Sequence, residues 1–129
     1  MLETDTYALA KARQEDILSA SSFKNWTAIR PAITFSKRRY QLVTMEANTV
    51  VVRAREGKKL LLPAPARYVQ ATMTWAGDMA KMISRLLFNP EAYCERITVS
   101  TAEHHTWDEV ASYYKELIGL EVEWIDEME

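Results

Sequence analysis

Tyr7 and Lys11 stand four residues apart in a stretch, Tyr7 to Leu18, that contains neither glycine nor proline. On a helix this spacing places both side chains on one face, a turn apart. A phenol titrates near pH ~10, too high for proton transfer at neutral pH, and an ammonium beside it favours the phenolate and lowers that value. The pair is a candidate acid/base device. The same spacing also arises on ordinary surface helices, where the ring packs and the ammonium stays in water. Taken alone, the pair does not establish a site.

Other reactive side chains are sparse. His104 and His105 are the only histidines; being adjacent they diverge, and no carboxylate or thiolate spacing around them matches a metal site. They are expected in the loop before a helix, and no metal is expected. Cys94, the single cysteine, has no cationic motif beside it and reads as a packing or surface thiol. Lys37, Arg38 and Arg39 form a basic cluster that either grips an anion or is simply solvated. Methionines and tryptophans read first as core.

The elements that must position these groups follow from capping residues and breakers. Thr4, Asp5 and Thr6 offer N-cap oxygens, predicting a helix over 5–20. Trp26 to Ile29 runs as a strand into Pro31, followed by a loop over 34–39. Tyr40 to Arg55, ended by Gly57, is expected to be a helix although Thr49 to Val52 carries a β-branched cluster. Lys59 to Leu62 and Val69 to Trp75 are expected as strands at sheet edges. A helix from Gly77 to Phe88 carries Met79, Met82, Ile83, Leu86 and Leu87 on one side, expected to face the core.

Arg96 to Val99 reads as a strand, and Thr106-Trp107-Asp108-Glu109 as a capping box. The helix it starts has Val110, Tyr113, Tyr114, Leu117 and Ile118 as its apolar stripe and ends at Gly119, before a strand over 121–125. Alternating helices and strands predict an α/β fold, or α+β if the chain is a fragment, with about four helices. One domain is expected for 129 residues of 48% hydrophobic content.

The formal charge of −2 argues against nucleic acid or an anionic membrane as partner. With one cysteine and no signal peptide or long apolar run, a cytoplasmic location is expected.

In their order, Tyr-Ala-Leu-Ala-Lys, the strand into Arg30-Pro31, Thr74-Trp75-Ala76-Gly77-Asp78-Met79-Ala80, the Ile97 strand and the Thr106-Trp107 helix resemble the extended short-chain dehydrogenase/reductase family. Within it, the chain is most similar to the C-terminal, substrate-side part of the NAD-dependent epimerase/dehydratase group that acts on nucleotide sugars.

The resemblance implies a Rossmann-type fold in which Tyr7 donates or accepts the substrate's proton. Lys11 would hold the nicotinamide ribose of NAD or NADP and tune the Tyr. It also implies that Pro31, Ala32 and Ile33 lie beside the nicotinamide, that Lys37, Arg39 and Trp75 contact substrate, and that Asp78 caps its helix.

The departures are as informative. Such enzymes hold the cofactor's pyrophosphate on a Gly-rich turn at a helix N-terminus. Here Gly57, Gly77 and Gly119 lie 20 and 42 residues apart, so no such motif can be written. The chain is therefore expected not to bind the cofactor or act alone, and to associate through unpaired strand edges with itself or with a separate cofactor-binding half. A non-catalytic binding or oligomerisation module derived from the same fold is the alternative.

Overall fold

The computed structural model describes residues 6–126, so the N-cap chemistry expected of Thr4 and Asp5 lies outside the described residues. Four α-helices are formed among them: α1 (Thr6–Ala20), α2 (Ala47–Arg55), α3 (Ala76–Leu86) and α4 (Trp107–Ile118). Ten short strands accompany them: β1 (Thr27–Pro31), β2 (Ile33–Phe35), β3 (Gln41–Leu42), β4 (Met45–Glu46), β5 (Leu60–Pro63), β6 (Gln70–Ala71), β7 (Met73–Trp75), β8 (Glu95–Val99), β9 (His105–Thr106) and β10 (Val122–Ile125). The mixed α/β architecture is the one the alternation predicts.

Three parallel ladders, β1 with β8, β2 with β7 and β5 with β10, and two antiparallel ones, β3 with β4 and β6 with β9, make up the sheets. The core is concentrated in the C-terminal part. Leu42, Val50, Leu60, Leu62, Trp107 and Leu120 pack into one buried cluster between α2, α4 and the β5–β10 ladder. Leu60 and Leu62 are buried while Leu61 is exposed, the period-2 alternation of a strand with one covered face. The strand expected at 59–62 is present as β5, an edge strand with one parallel neighbour among the described residues, β10, and one face in the core.

Three expectations are corrected. The segment 34–39 is no open loop: β2 occupies its start, and Ser36 and Arg39 close a tight turn through reciprocal backbone bonds of 2.7 and 3.2 Å, with Lys37 and Arg38 at the tip. The helix expected from Tyr40 starts only at Ala47, because 41–46 forms the β3–β4 hairpin. Its turn holds Val43 at φ 55°, a strained conformation for a β-branched residue. Burial of Leu42 and a 2.8 Å bond from Gln41 Nε2 to the Val43 carbonyl offset that strain.

Last, the strand expected over 69–75 breaks at Thr72. Its first half pairs antiparallel with β9 and its second half parallel with β2.

The N-terminal part is built differently. The β1–β8 register sets Ala28 beside Arg96 and Arg30 beside Thr98, so both guanidinium groups leave the same face of the ladder. They converge on Glu15 of α1. Arg30 Nε reaches Oε1 at 2.8 Å and Arg96 Nε reaches Oε2 at 2.9 Å. No residue of α1 is buried, so polar bonds hold this helix where a core would hold others. The α3 face expected to be core is only half-buried, and Leu87 stays 60% exposed.

Hydrogen bonding from Arg30, and secondarily the charges of Arg30 and Arg96, hold the Glu15 carboxyl below its ordinary range. A depressed carboxylate pKa adds stability that is complete above the unfolded value and is lost as pH falls through the folded one. Amide exchange in α1 is therefore expected to accelerate on acidification before that in α4. Glu15→Gln should reproduce the acid behaviour at neutral pH, and equal protection of α1 in the variant and the parent would contradict this attachment.

Candidate functional site

A cleft of about 480 Å³ opens between the β2–β7 ladder and α4, with the Ser36–Arg39 turn at its rim. Its walls are aromatic. Phe35 and Trp75 meet at 5.4 Å between ring centroids and 56° between planes, and Tyr40 and Tyr114 at 6.1 Å and 41°. The His105 imidazole stands edge-on to Tyr113 at 5.5 Å and 88°. These are the offset and tilted arrangements that ring quadrupoles favour.

The sequence makes this cleft through α4. Val110 points inward and is buried, whereas Leu117 is 78% exposed, and Tyr113 and Ile118 are exposed as well. The apolar stripe expected to be core is therefore shared: all five of its residues line the cleft, while Val110 also belongs to the core cluster and Tyr114 packs against it. Tyr114 is half-buried, its hydroxyl donating to the Gln41 carbonyl at 3.3 Å.

Trp75 is held by α3 and by the loop after β8. Its backbone N–H donates to Thr101 Oγ1 at 3.1 Å, and that hydroxyl donates to Asp78 Oδ2 at 3.4 Å. Asp78 was expected to cap its helix, but the N-cap residue is Trp75 and carries no side-chain cap. The Asp78 carboxylate instead receives Thr101 and the Lys81 ammonium, the latter at 3.3 Å. A Cβ on Gly77 would lie 2.6 Å from the Trp75 indole nitrogen, so the absence of a side chain there lets the indole fold back over the helix start.

Polar groups at the cleft are few. Lys37 comes from the turn tip, and Glu103 and His105 come from the segment before α4. His105 Nε2 lies 3.1 Å from Glu103 Oε1, and Nδ1 lies 3.9 Å from Glu109 Oε2. His105 belongs to β9, not to a free loop. Among the described residues no group of His, Cys, Asp and Glu is arranged to hold a metal.

The sequence-derived site residues divide. Lys37 and Trp75 line the cleft. Arg39 stands beside it and pairs with Glu46 at 3.9 Å. Tyr7 and Lys11 sit on the outer side of α1, with Tyr7 71% exposed; Lys11 Nζ is 5.5 Å from the Tyr7 ring centroid and donates to Gln14 at 3.3 Å. Pro31 ends β1, Ala32 N–H donates to the Val99 carbonyl at 3.1 Å, and Ile33 packs against the core cluster. Phe35, Tyr40, Thr101, His105 and Tyr113 are cleft residues that sequence reasoning missed. The helical spacing of Tyr113 with Leu117 was the available signal, read as core.

No protein-family model and no curated protein matches the sequence. Solved structures do match in fold. The dTDP-glucose 4,6-dehydratase of Bacillus anthracis, in complex with NAD, is 20% identical with a TM-score of 0.69, over 98% of this chain and 41% of its own. The UDP-glucose 4-epimerase of Thermotoga maritima, with UDP-glucose, is 16% identical with a TM-score of 0.67, over 92% of this chain and 40% of its own. The UDP-glucose 4-epimerase of Thermus thermophilus, complexed with NAD, is 22% identical with a TM-score of 0.59, over 90% and 38%. The chain thus has the fold of part of these Rossmann-like sugar-nucleotide enzymes and spans about two fifths of their length.

Gly77→Ala gains helix propensity, up to ~1 kcal/mol, but forces the indole away from the helix start. Stability is expected to change little while the Trp75 contribution to fluorescence, taken as the difference from a Trp75→Phe background, shifts. An unshifted emission would show that the ring does not depend on Gly77.

Burial, and secondarily the charge of Tyr40, push the Tyr114 phenol up to about 12. The folded state therefore keeps this proton where the unfolded chain, near pH ~10, has released it. Stability is expected to fall between pH 10 and about 12, less steeply in Tyr114→Phe, as read by denaturant melts across that range.

Proposed function

We propose that the chain is the substrate-binding, C-terminal part of an NAD(P)-dependent epimerase, dehydratase or reductase of the extended short-chain dehydrogenase/reductase type. The observation that carries the reading is the Tyr7–Lys11 pair on a helix joined to a parallel strand, within the fold of enzymes solved with NAD and with a nucleotide sugar. Tyr7 would be the proton-transfer group, and Lys11 would hold the nicotinamide ribose and tune the phenol. Pro31, Ala32 and Ile33 would border the nicotinamide. Lys37, Arg39 and Trp75 would contact a substrate of the nucleotide-sugar class.

The phosphate-binding turn would be supplied by another segment or chain seated on the unpaired edge of β1, which has one parallel neighbour, β8, among the described residues. Association in the cytoplasm, with a second copy or with that cofactor-binding half, belongs to the same reading. No described helix is long and apolar enough to cross a membrane.

A second reading, a non-catalytic binding or oligomerisation module, is favoured by one observation: Tyr7 and Lys11 do not line the cleft. A chimera that places the cofactor-binding part of the Thermotoga maritima epimerase before this chain separates the two. The first reading expects NAD binding by the chimera, reduction of bound NAD by a sugar-nucleotide substrate, and a loss of about 10²–10⁴-fold in turnover with Tyr7→Phe while NAD binding persists. A folded, NAD-loaded chimera without turnover, or with turnover indifferent to Tyr7→Phe, supports the module.

A further inference from the structure

We propose that Thr101 is a positioning residue for the cleft: its hydroxyl completes the cap of α3 from outside the helix and so fixes the Trp75 indole as the cleft wall. The proposal rests on the reading of the cleft as the substrate-holding face and names the group that shapes it.

The start of α3 argues for the role. Trp75 is the N-cap residue and Asp78 stands three places later, the spacing at which the carboxylate of a capping box accepts directly from the N-cap N–H. Here a third group is interposed. The Trp75 N–H donates to Thr101 Oγ1 at 3.1 Å, and that hydroxyl donates to Asp78 Oδ2 at 3.4 Å. A hydroxyl accepts and donates at once, so a residue 26 positions along the chain closes a cap that a helix ordinarily closes alone. The other carboxylate oxygen of Asp78 takes the Lys81 ammonium at 3.3 Å.

The indole follows from the backbone that carries it. Rotamers depend on φ and ψ, and Trp75 is held extended at φ −63° and ψ 129°, paired with Phe35 across the β2–β7 ladder. Phe35 then limits the ring at 5.4 Å between centroids, and Gly77 leaves room for its nitrogen. Without the Thr101 hydroxyl, Asp78 is released to close directly on the Trp75 N–H, and the ring turns with its backbone.

The same bond ties two walls together. Thr101, Glu103 and His105 lie on the segment that leads into α4, and all three line the cleft with Trp75. One hydroxyl thus sets the spacing between the aromatic wall and the Glu103–His105 pair. A ligand held between them meets side chains that are already ordered, and ordering them during binding would cost affinity.

Thr101→Val keeps the side-chain shape and removes the hydroxyl, whereas Thr101→Ser keeps the hydroxyl. Each is made in the full chain and again with Trp75→Phe, and titrated by calorimetry with UDP-glucose and dTDP-glucose. The Trp75 emission is the difference from Trp75→Phe. Expected for Thr101→Val are a shifted Trp75 emission and sugar-nucleotide binding weaker by about three- to tenfold. Thr101→Ser restores both, and with Trp75→Phe neither change at Thr101 alters affinity.

An unmoved emission in Thr101→Val, a serine variant no better than the valine one, or an equal affinity loss in the Trp75→Phe background overturns the proposal. Should Thr101→Val unfold, Asp78→Asn decides: weakening the charged acceptor must shift the Trp75 emission, and an unshifted emission overturns the relay. Absence of binding by the folded parent overturns the cleft as a substrate-holding face, while the emission arm still decides the role of Thr101.

Discussion

The start of α4 is the joint on which core and cleft both depend. A helix leaves its first four backbone N–H groups without partners, and here three of them are satisfied by different means. Trp107 N–H donates to the Val69 carbonyl at 3.1 Å, Asp108 N–H to the Arg67 carbonyl at 2.9 Å, and Glu109 N–H to Thr106 Oγ1 at 3.2 Å. The Glu109 carboxylate returns a bond by accepting from the Thr106 N–H at 2.7 Å, and that bond is the first cause of its lowered pKa. Arg67 then clamps the Asp108 side chain from outside. The chain before β7 is thereby tied to the helix that forms the other wall of the cleft.

That joint also explains why the interior is uneven. With its N-terminus fixed, α4 lays Trp107, Val110 and Ala111 onto Leu42, Leu60, Leu62 and Leu120, and most of the fully buried side chains gather there. α1 has no comparable anchor. Two arginines from neighbouring strands meet one carboxylate, an arrangement that orients the helix while excluding little water. Exposed ion pairs contribute little to stability, so the helix carrying Tyr7 and Lys11, with no buried residue, has little apolar support.

Local signals were legible where their physics is local. The Thr106–Glu109 box and Gly119 at φ 69° terminate α4 where the sequence places its ends. Pro31 closes β1 for the same reason: proline restricts its neighbour. Local signals mislead where a partner from afar decides the outcome. Tyr40 to Glu46 contains no breaker, and it forms a hairpin because Leu42 is taken into a core that α2, α4 and β5 complete. Thr72 divides one β-rich run because its two halves find partners in β9 and β2, which lie far apart in sequence.

The cleft shows the same limit at the level of function. Residues at three- and four-residue spacing on α4 mark an apolar face, but periodicity carries no information about what covers it. Val110 and Leu117 belong to one stripe and differ from nearly closed to 78% exposed. The decision lies with the Ser36–Arg39 turn and with Trp75, which stand off from the helix because reciprocal backbone bonds fix the turn and Gly77 admits the indole. A wall of rings is thereby left facing open space, where a packed interface would have required side chains from β2 and β7 long enough to meet it. The Tyr7–Lys11 pair and the aromatic cleft consequently belong to separate parts of the fold, one held by charge and one by packing. On the proposed reading, a substrate that meets both would need a third element to span them, which is the physical content of that proposal.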